Sequence, residues 1–281
     1  MYSRILFAVD DDEALPAAVP VVAAYARRWD ADVRVLHVHR IDPSAPSTPS
    51  RRLVRELVER LQSEGVSAEG EVRLVEGAEK AARVIARAAR QEEADLVAIG
   101  SHGRSDLGAL FLGSVSHAVA SGLDIPVLVL RAGSTNAVEP GRVLVAVDGS
   151  AGSDRAVDEA AALADQFGAS VLVLHVRQLV AAPGAAAVDP AEDARAIVSR
   201  AVAALEERRI QATGESVVEG SVATGIVTAA ERHGVDLVVL GSRRPSDLGG
   251  LLLGSVAHDV VRRLRCPVLL ARRAGAAEPV G

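Results

Sequence analysis

The chain has 281 residues, of which 49% are apolar and 24% charged, with a formal net charge of −6 at pH 7. This length suits one large α/β domain or two of about 140 residues each, and the charged fraction argues against intrinsic disorder. The absence of any run of about 18 apolar residues excludes a membrane span, and the acidic balance does not suggest nucleic-acid binding. A single cysteine excludes an intramolecular disulfide and a cysteine-based zinc site, so a reducing cytoplasmic location is expected.

The sequence consists of two similar halves. Five blocks of the first half return in the same order in the second: residues 4–10 match 142–148, 35–38 match 173–176, 95–101 match 236–242, 107–117 match 248–258, and 126–128 match 267–269. Five matched blocks in one order indicate a tandem duplication. The join falls in the turn-forming segment 131–141, which predicts two domains, at 1–132 and 141–273.

Short β-branched runs alternate with longer helix-forming segments in both halves. In the first half, the runs 5–9, 33–38, 72–75, 96–99 and 127–130 predict strands, and 17–28, 51–62, 78–91 and 114–121 predict helices. Helices of the second half are predicted at 154–167, 190–209, 224–233 and 255–264. The strands are almost wholly apolar, which is typical of parallel sheets covered on both faces. The fold class is therefore α/β, with two tandem doubly wound domains of five strands each.

Proline introduces two exceptions to this regular pattern. Pro20 would remove a hydrogen bond from a helix interior, so the first helix is expected to start late or to kink. Residues 42–50 and 180–190 are rich in proline and small residues, and each follows the second strand of its half. Both segments are predicted to be mobile connectors rather than partner-binding loops.

A glycine-rich segment follows the fourth strand of each half. Gly100, Gly103 and Gly113 precede Ser114, where a helix is predicted to begin. Glycines at this spacing let backbone amides approach a ligand, and the start of a helix attracts anions. The segment therefore predicts a phosphate-binding site that needs no lysine. A plain strand-to-helix turn with glycines is the alternative. After the first strands, Asp10 and Asp148 could each accept a hydrogen bond from an amine or a ribose hydroxyl, or cap the next helix.

Together these residues resemble the universal stress protein family. The family's nucleotide-loop pattern Gly-x2-Gly-x9-Gly-Ser is intact from Gly100 to Ser114, and the opening Asp-Gly-Ser stands at residues 148–150. The resemblance implies a Rossmann-like fold of the adenine nucleotide alpha hydrolase type and ATP as ligand, with adenine beside Asp10 and Val38 or beside Asp148 and Val176. The other nucleotide-binding residues that it implies are Gly100, Gly103, Arg104, Gly113, Ser114, Val115, Gly149, Ser150, Gly241, Arg244, Gly254, Ser255 and Val256.

The two halves depart from the family pattern in different ways. The first carries acidic residues at 11–13, which would repel a triphosphate unless they face solvent or a divalent cation such as Mg²⁺ bridges them. The second has Arg244 in place of a loop glycine, and this side chain could block the phosphate site or clamp a phosphate. We therefore expect asymmetry, with the better glycine loop in the first half and the better opening turn in the second.

The remaining polar candidates give weaker signals. His117 and His258 are interpreted as helix-surface or interface residues, His102 as the better phosphate contact, and Cys266 as a buried structural thiol. His37 and His39 lack a third ligand and do not predict a metal site.

Three functions follow from these patterns. The leading hypothesis is a regulatory, ATP-binding stress protein with at most weak ATPase activity, and cyclic AMP is an open variant of the ligand. A slow ATP hydrolase or nucleotidyl transferase, with a metal held by Asp11 and Asp12, is the second hypothesis, and a nucleotide-free interaction protein is the third. The resemblance also implies that the two halves pair as an internal pseudo-dimer and that the chain forms a homodimer.

Overall fold

The structure is a computed structural model. It describes residues 2–10, 18–41, 47–76, 80–101, 117–119, 122–131, 138–182, 185–188, 191–241 and 254–272. These residues form two compact units, unit 1 up to Val138 and unit 2 from Glu139 onward. Within these ranges, none of the helices combines the length and the apolar composition that crossing a membrane requires.

Unit 1 alternates strands and helices along its sequence. Its elements are β1 Arg4–Val9, α1 Val19–Trp29, β2 Asp32–Arg40, α2 Thr48–Ser63, β3 Ala68–Val75, α3 Ala81–Gln91, β4 Leu96–Ser101 and β5 Val127–Arg131. The strands are parallel and lie in the order β3-β2-β1-β4-β5. Ile5, Leu6 and Phe7 are at most 2% exposed, so β1 is covered on both faces. The predicted parallel sheet is confirmed.

Unit 2 repeats this plan. Its elements are β6 Arg142–Ala146, α4 Ala151–Phe167, β7 Ser170–Ala182, β8 Ala185–Val188, α5 Ala191–Glu207, β9 Ala212–Glu219, α6 Val222–Arg232, β10 Leu237–Gly241, α7 Ser255–Arg263 and β11 Val268–Ala271. Five strands are parallel, in the order β9-β7-β6-β10-β11. Helix α4 contacts α5, and α6 contacts α7. Because parallel crossovers are right-handed, these two pairs cover opposite faces of the sheet.

The segment 180–190 differs from the prediction of a mobile loop. β7 continues to Ala182, and β8 pairs with it antiparallel, from Leu179↔Val188 to Ala182↔Ala185. The sequence separates two Ala/Val runs by Pro183-Gly184, which is a hairpin signal that the proline-rich composition obscured. The corresponding residues 42–46 of unit 1 lie outside the described residues.

Proline lies in the first turn of both helices that contain it in unit 1. Helix α1 begins at Val19, so Pro20 removes no interior hydrogen bond, and the expectation of a late start is confirmed. Helix α2 begins at Thr48, three residues before the predicted start, with Pro49 in its first turn. The pattern of apolar residues set the predicted start too late because the first turn of α2 is polar.

Two equivalent glycines allow the second helix of each unit to pack closely on the sheet. A Cβ atom at Gly70 would overlap the side chain of Val54 in α2, and one at Gly214 would overlap Val198 in α5. A larger residue would force the helix away from the strand. The same requirement in both units shows that the duplication has kept the packing distance between helix and sheet.

Ion pairs tie the third helix of each unit to its third strand, with opposite polarity. In unit 1, Arg73 of β3 lies 3.7 Å from Glu92 at the end of α3 and 3.0 Å from Glu71. In unit 2, Glu215 of β9 accepts from Arg232 at 2.7 Å and pairs with His233 at 2.8 Å. Burial raises the pKa of Glu215, but its hydrogen bonds from His233 and Arg232 lower it more, so the net pKa lies below its usual value.

The thiol of Cys266 should be almost unreactive in the native protein. Cys266 is 5% exposed, and burial raises its pKa to about 12. At pH 8 only about one molecule in ten thousand would carry the reactive thiolate. We expect one thiol per chain to react with a disulfide reagent in urea, and at least about a thousandfold slower labelling without denaturant. Fast native labelling would contradict the buried position.

Candidate functional site

The carboxyl ends of β6, β7 and β10 meet at one edge of the unit 2 sheet, here called the carboxyl edge. β6 lies between β7 and β10. The chain leaves β6 for β7 on one side, whereas β10 on the other side leads to β11. Strand order therefore reverses beside β6, and ligands of open α/β sheets bind in the crevice that such a reversal creates. Unit 1 has the same arrangement around β1.

The turn after β6 consists of Asp148, Gly149 and Ser150. The Ser150 amide donates to Asp148 Oδ1 at 3.0 Å, and Gly149 has a φ of +77°, which favours glycine. The Ser150 hydroxyl accepts from the Ser153 amide at 3.2 Å and caps α4. Burial raises the pKa of Asp148, but hydrogen bonds from Ser150 and Ser153 lower it more, and the net pKa lies below the usual range. Asp148 is therefore an ionised acceptor in an exposed position, and it also supports the helix start.

Gly241 ends β10 in a position that has no room for a side chain. A Cβ atom there would overlap the carbonyl oxygen of Gly152 in the first turn of α4. The neighbouring atoms belong to backbone, which cannot move aside as a flexible side chain could. The glycine requirement at Gly241 thus comes from packing between strand and helix, and not from the approach of a ligand alone.

Helix α7 begins at the carboxyl edge, with Ser255 as its first residue. Gly254 is its N-cap, with φ −55° and ψ 146°, and no side chain of the described residues caps the first turn. Ser255 and Val256 form that turn, which contains no acidic residue. The amide groups of a helix start carry partial positive charge and are donors for an anion. His258, one turn further, lies 3.5 Å from Asp259 and is half-buried, in agreement with a helix-surface residue.

The valines predicted to lie beside adenine lie in the second strands, just beyond the residues that pair with the first strands. Val176 of β7 is buried, and a Cβ atom at Gly225 of α6 would lie 2.8 Å from both of its methyl groups. Val38 of β2 is half-buried. Gly225 corresponds to Val84 in unit 1, so the residue at this position is larger in unit 1 than in unit 2.

The predicted residues of unit 1 are only partly described. Asp10 follows β1 and is exposed, and Gly100 lies in β4. Six predicted site residues lie outside the described residues, as do residues 11–13 and His102: Gly103, Arg104, Gly113, Ser114, Val115 and Arg244.

Two equivalent histidines connect the second strand of each unit to the carboxyl end of its first strand. His37 Nδ1 lies 3.1 Å from the carbonyl oxygen of Val9, and His175 Nδ1 lies 2.8 Å from that of Val147. From the sequence alone, neither histidine was assigned a hydrogen-bonding role, although the matched blocks 35–38 and 173–176 repeat this residue. Among the described residues, no group of three His, Cys, Asp or Glu side chains could hold a metal ion.

Among the described residues, each unit has a cleft at the opposite, amino edge of its sheet. That of unit 1, of about 230 Å³, is lined by Arg4, Asp32, Arg34 and Glu69 among others. The equivalent cleft of unit 2, of about 180 Å³, is lined by Arg142, Ser170 and His233 among others. Arg34 in the first cleft already pairs with Glu69 at 2.7 Å. These positions are away from the strand reversals at which α/β sheets bind ligands.

Comparison with known proteins gives one consistent family. A sequence model of the universal stress protein family matches residues 1–131 and 140–272. A universal stress protein of Mycolicibacterium smegmatis is 28% identical over 294 residues, covering 95% of this chain and 96% of that protein. The crystal structure of a universal stress protein from Archaeoglobus fulgidus has a TM-score of 0.78 at 21% identity, covering 96% of this chain and 98% of that chain. Another structure from Archaeoglobus fulgidus, a universal stress protein in complex with dAMP, covers 46% of this chain and 97% of its own at 20% identity, with a TM-score of 0.38.

Proposed function

Because the chain belongs to the universal stress protein family, we propose that it is a cytoplasmic stress-response protein that binds ATP and acts as a regulatory module without fast turnover. The observation that carries the proposal is the presence of two complementary groups at the carboxyl edge of unit 2. One is the ionised carboxylate of Asp148, which suits an amine donor. The other is the start of α7, which no side chain of the described residues caps and which suits phosphate.

The proposed ligand orientation follows from these two groups. Asp148 and Val176 face the adenine, and the amides of Gly254, Ser255 and Val256 receive the phosphates. Gly149, Ser150 and Gly241 shape the site through the turn and through strand packing. In unit 1 the same roles go to Asp10, Val38 and Gly100, with the loop residues Gly103, Arg104, Gly113, Ser114 and Val115. The proposed domains extend over 1–132 and 141–273, and Mg²⁺ would enter with the triphosphate.

Freshly purified protein should release adenine nucleotide on denaturation, measured by chromatography as moles per chain. Added ATP and Mg²⁺ should raise the melting temperature, since ligand at 100 times its dissociation constant stabilises the folded state by about 2.7 kcal/mol. The fluorescence of the single tryptophan, Trp29, reports on unfolding of unit 1, and labelling of the single cysteine, Cys266, reports on unfolding of unit 2. Protection of Cys266 by ATP would assign binding to unit 2.

Each outcome of this experiment selects one function. One ATP per chain would support binding with one inactive site, and two would show that Arg244 is tolerated. Released ADP would favour the slow hydrolase. Absence of both nucleotide and a melting shift would contradict the proposal in favour of an interaction protein that needs no nucleotide.

A further inference from the structure

His37 and His175 make the same buried hydrogen bond in the two units. His37 is 2% exposed and His175 is 7% exposed. Because a carbonyl oxygen can only accept, Nδ1 carries the proton and donates to Val9 in unit 1 and to Val147 in unit 2. A histidine buried twice at equivalent places, with the same partner each time, indicates a role that both units share.

The accepting carbonyl belongs to the peptide that leads into the site turn. In unit 2 the β6–β7 pairing ends at Ala146↔Leu174, one residue before this contact, and Val147 N donates to the Leu174 carbonyl at 2.9 Å. The His175 imidazole therefore holds the other polar group of Val147. A peptide unit is planar, so fixing the Val147 oxygen also fixes the nitrogen of Asp148 and the direction in which its Cα leaves the sheet.

The orientation of Asp148 also determines the geometry of the rest of the turn. Asp148 Oδ1 accepts from the Ser150 amide, and Ser150 caps α4 through Ser153. In unit 1, β1 and β2 pair up to Val9↔His37, and Asp10 follows directly. The residue whose carbonyl contacts the histidine thus directly precedes the aspartate in both units.

We propose that His175 and His37 are positioning residues, whose Nδ1–H groups orient the carboxylates of Asp148 and Asp10 towards the amino group of adenine. The inference rests on the proposed function, since it needs a nucleotide at the carboxyl edge. It extends that function by making the histidine a determinant of base selectivity. Adenine presents an amine where guanine presents a carbonyl oxygen, so a correctly placed carboxylate accepts from ATP and repels GTP.

Two variants of His175 distinguish the effect of its hydrogen-bond donor from the effect of its size. In His175→Asn, the side-chain amide nitrogen can stand where Nδ1 stood, so the donor is kept. In His175→Leu, a side chain of similar size fills the space without a donor. His233→Leu is the matched control, because it removes a histidine of unit 2 at the opposite, amino edge.

Two measurements on the full chain test the inference. The first is hydrogen exchange of the Ser150 amide without ligand, which reports the turn itself. The second is the affinity for ATP and for GTP, read in unit 2 as protection of Cys266 from labelling. We expect His175→Leu to speed the exchange and to weaken ATP binding about tenfold or more, since small misplacements of a binding group have large effects. GTP binding should change much less, so the ATP/GTP preference falls.

The asparagine variant and the control decide the interpretation. His175→Asn should restore the preference to within about threefold of the wild type, and His233→Leu should leave it unchanged. A purely structural role for His175 would weaken ATP and GTP equally, which would overturn the inference. Unchanged exchange and selectivity in His175→Leu would also overturn it, with the proposed function intact. A wild type that binds neither nucleotide would overturn the proposed function and the selectivity role together, and the exchange result would then show whether the histidine still orders the turn.

Discussion

Replacing Gly254 by aspartate is expected to weaken ATP binding to unit 2 by about 30-fold or more while slightly stabilising the fold. Gly254 is the N-cap of α7, its backbone angles suit any residue, and a Cβ atom there meets no atom of the described residues within 4 Å. Aspartate is a preferred N-cap and its charge favours a helix start, together worth about 0.5–1 kcal/mol. The same carboxylate would occupy the amides that the proposal assigns to phosphate and would repel it.

This variant separates binding from stability, because the two should change in opposite directions. Gly254→Ala is the matched control, since it fills the same open space without a cap or a charge. Its ATP affinity should stay close to that of the wild type. Calorimetric titration gives the affinity for ATP. Unfolding in urea, monitored through the labelling of Cys266, gives the stability of unit 2. Undiminished ATP binding by Gly254→Asp would show that phosphate does not lie at the start of α7.

Replacing Gly241 by alanine is expected to destabilise unit 2 by about 3 kcal/mol, at the upper end of the usual cost of overpacking. The added Cβ would overlap the Gly152 carbonyl oxygen, and its next contacts are also backbone atoms of α4. Relief requires the first turn of α4 to move away from β10. That movement would also displace the Ser150 cap, so ATP binding should fall with stability.

The labelling rate of Cys266 in the native protein measures the loss of stability in unit 2. Trp29 fluorescence monitors the unfolding of unit 1 in the same sample. Trp29 packs edge-on against Tyr2 and Tyr25, with ring centroids at 4.8 and 5.1 Å, so its emission should be sensitive to loss of packing. Gly220→Ala is the control, because a Cβ atom there comes within 4 Å of nothing in the described part of the chain and its φ is not in the left-handed region. An unfolding midpoint of Gly241→Ala equal to that of the control would contradict the close contact between β10 and α4.

The sequence was most informative where burial is periodic or continuous. The buried runs around Phe7 and Val145 predicted central parallel strands, and the repeated blocks predicted that both halves share one topology. β3 was predicted at half its length because only Ala68 is buried among its first four residues, Ala-Glu-Gly-Glu, which lie at a sheet edge. Apolar patterning cannot detect a strand segment that buries little.

The site shows a different limit of sequence reasoning. The residue types and their order placed Asp148, Val176 and Gly254 at one edge of a sheet, which the topology of unit 2 supports. What Gly241 and His175 do depends on atoms distant in sequence, the Gly152 carbonyl and the Val147 carbonyl. Such contacts depend on the angle between helix and strand and on the residue at which the hydrogen bonding between two strands ends. Neither can be predicted from the spacing of residues along the sequence.

The reversed ion pairs of the two units bear on how a duplicated chain folds correctly. Two halves with the same topology risk exchanging equivalent helices during folding, which is a common failure of repeated domains. If α3 docked on β9, Glu92 would meet Glu215, and Arg73 would be left behind on β3. Each contact is worth little in water, but the native arrangement pairs opposite charges at both places, whereas this exchange sets like charges together. The difference in charge therefore favours docking of α3 on β3 over docking on β9.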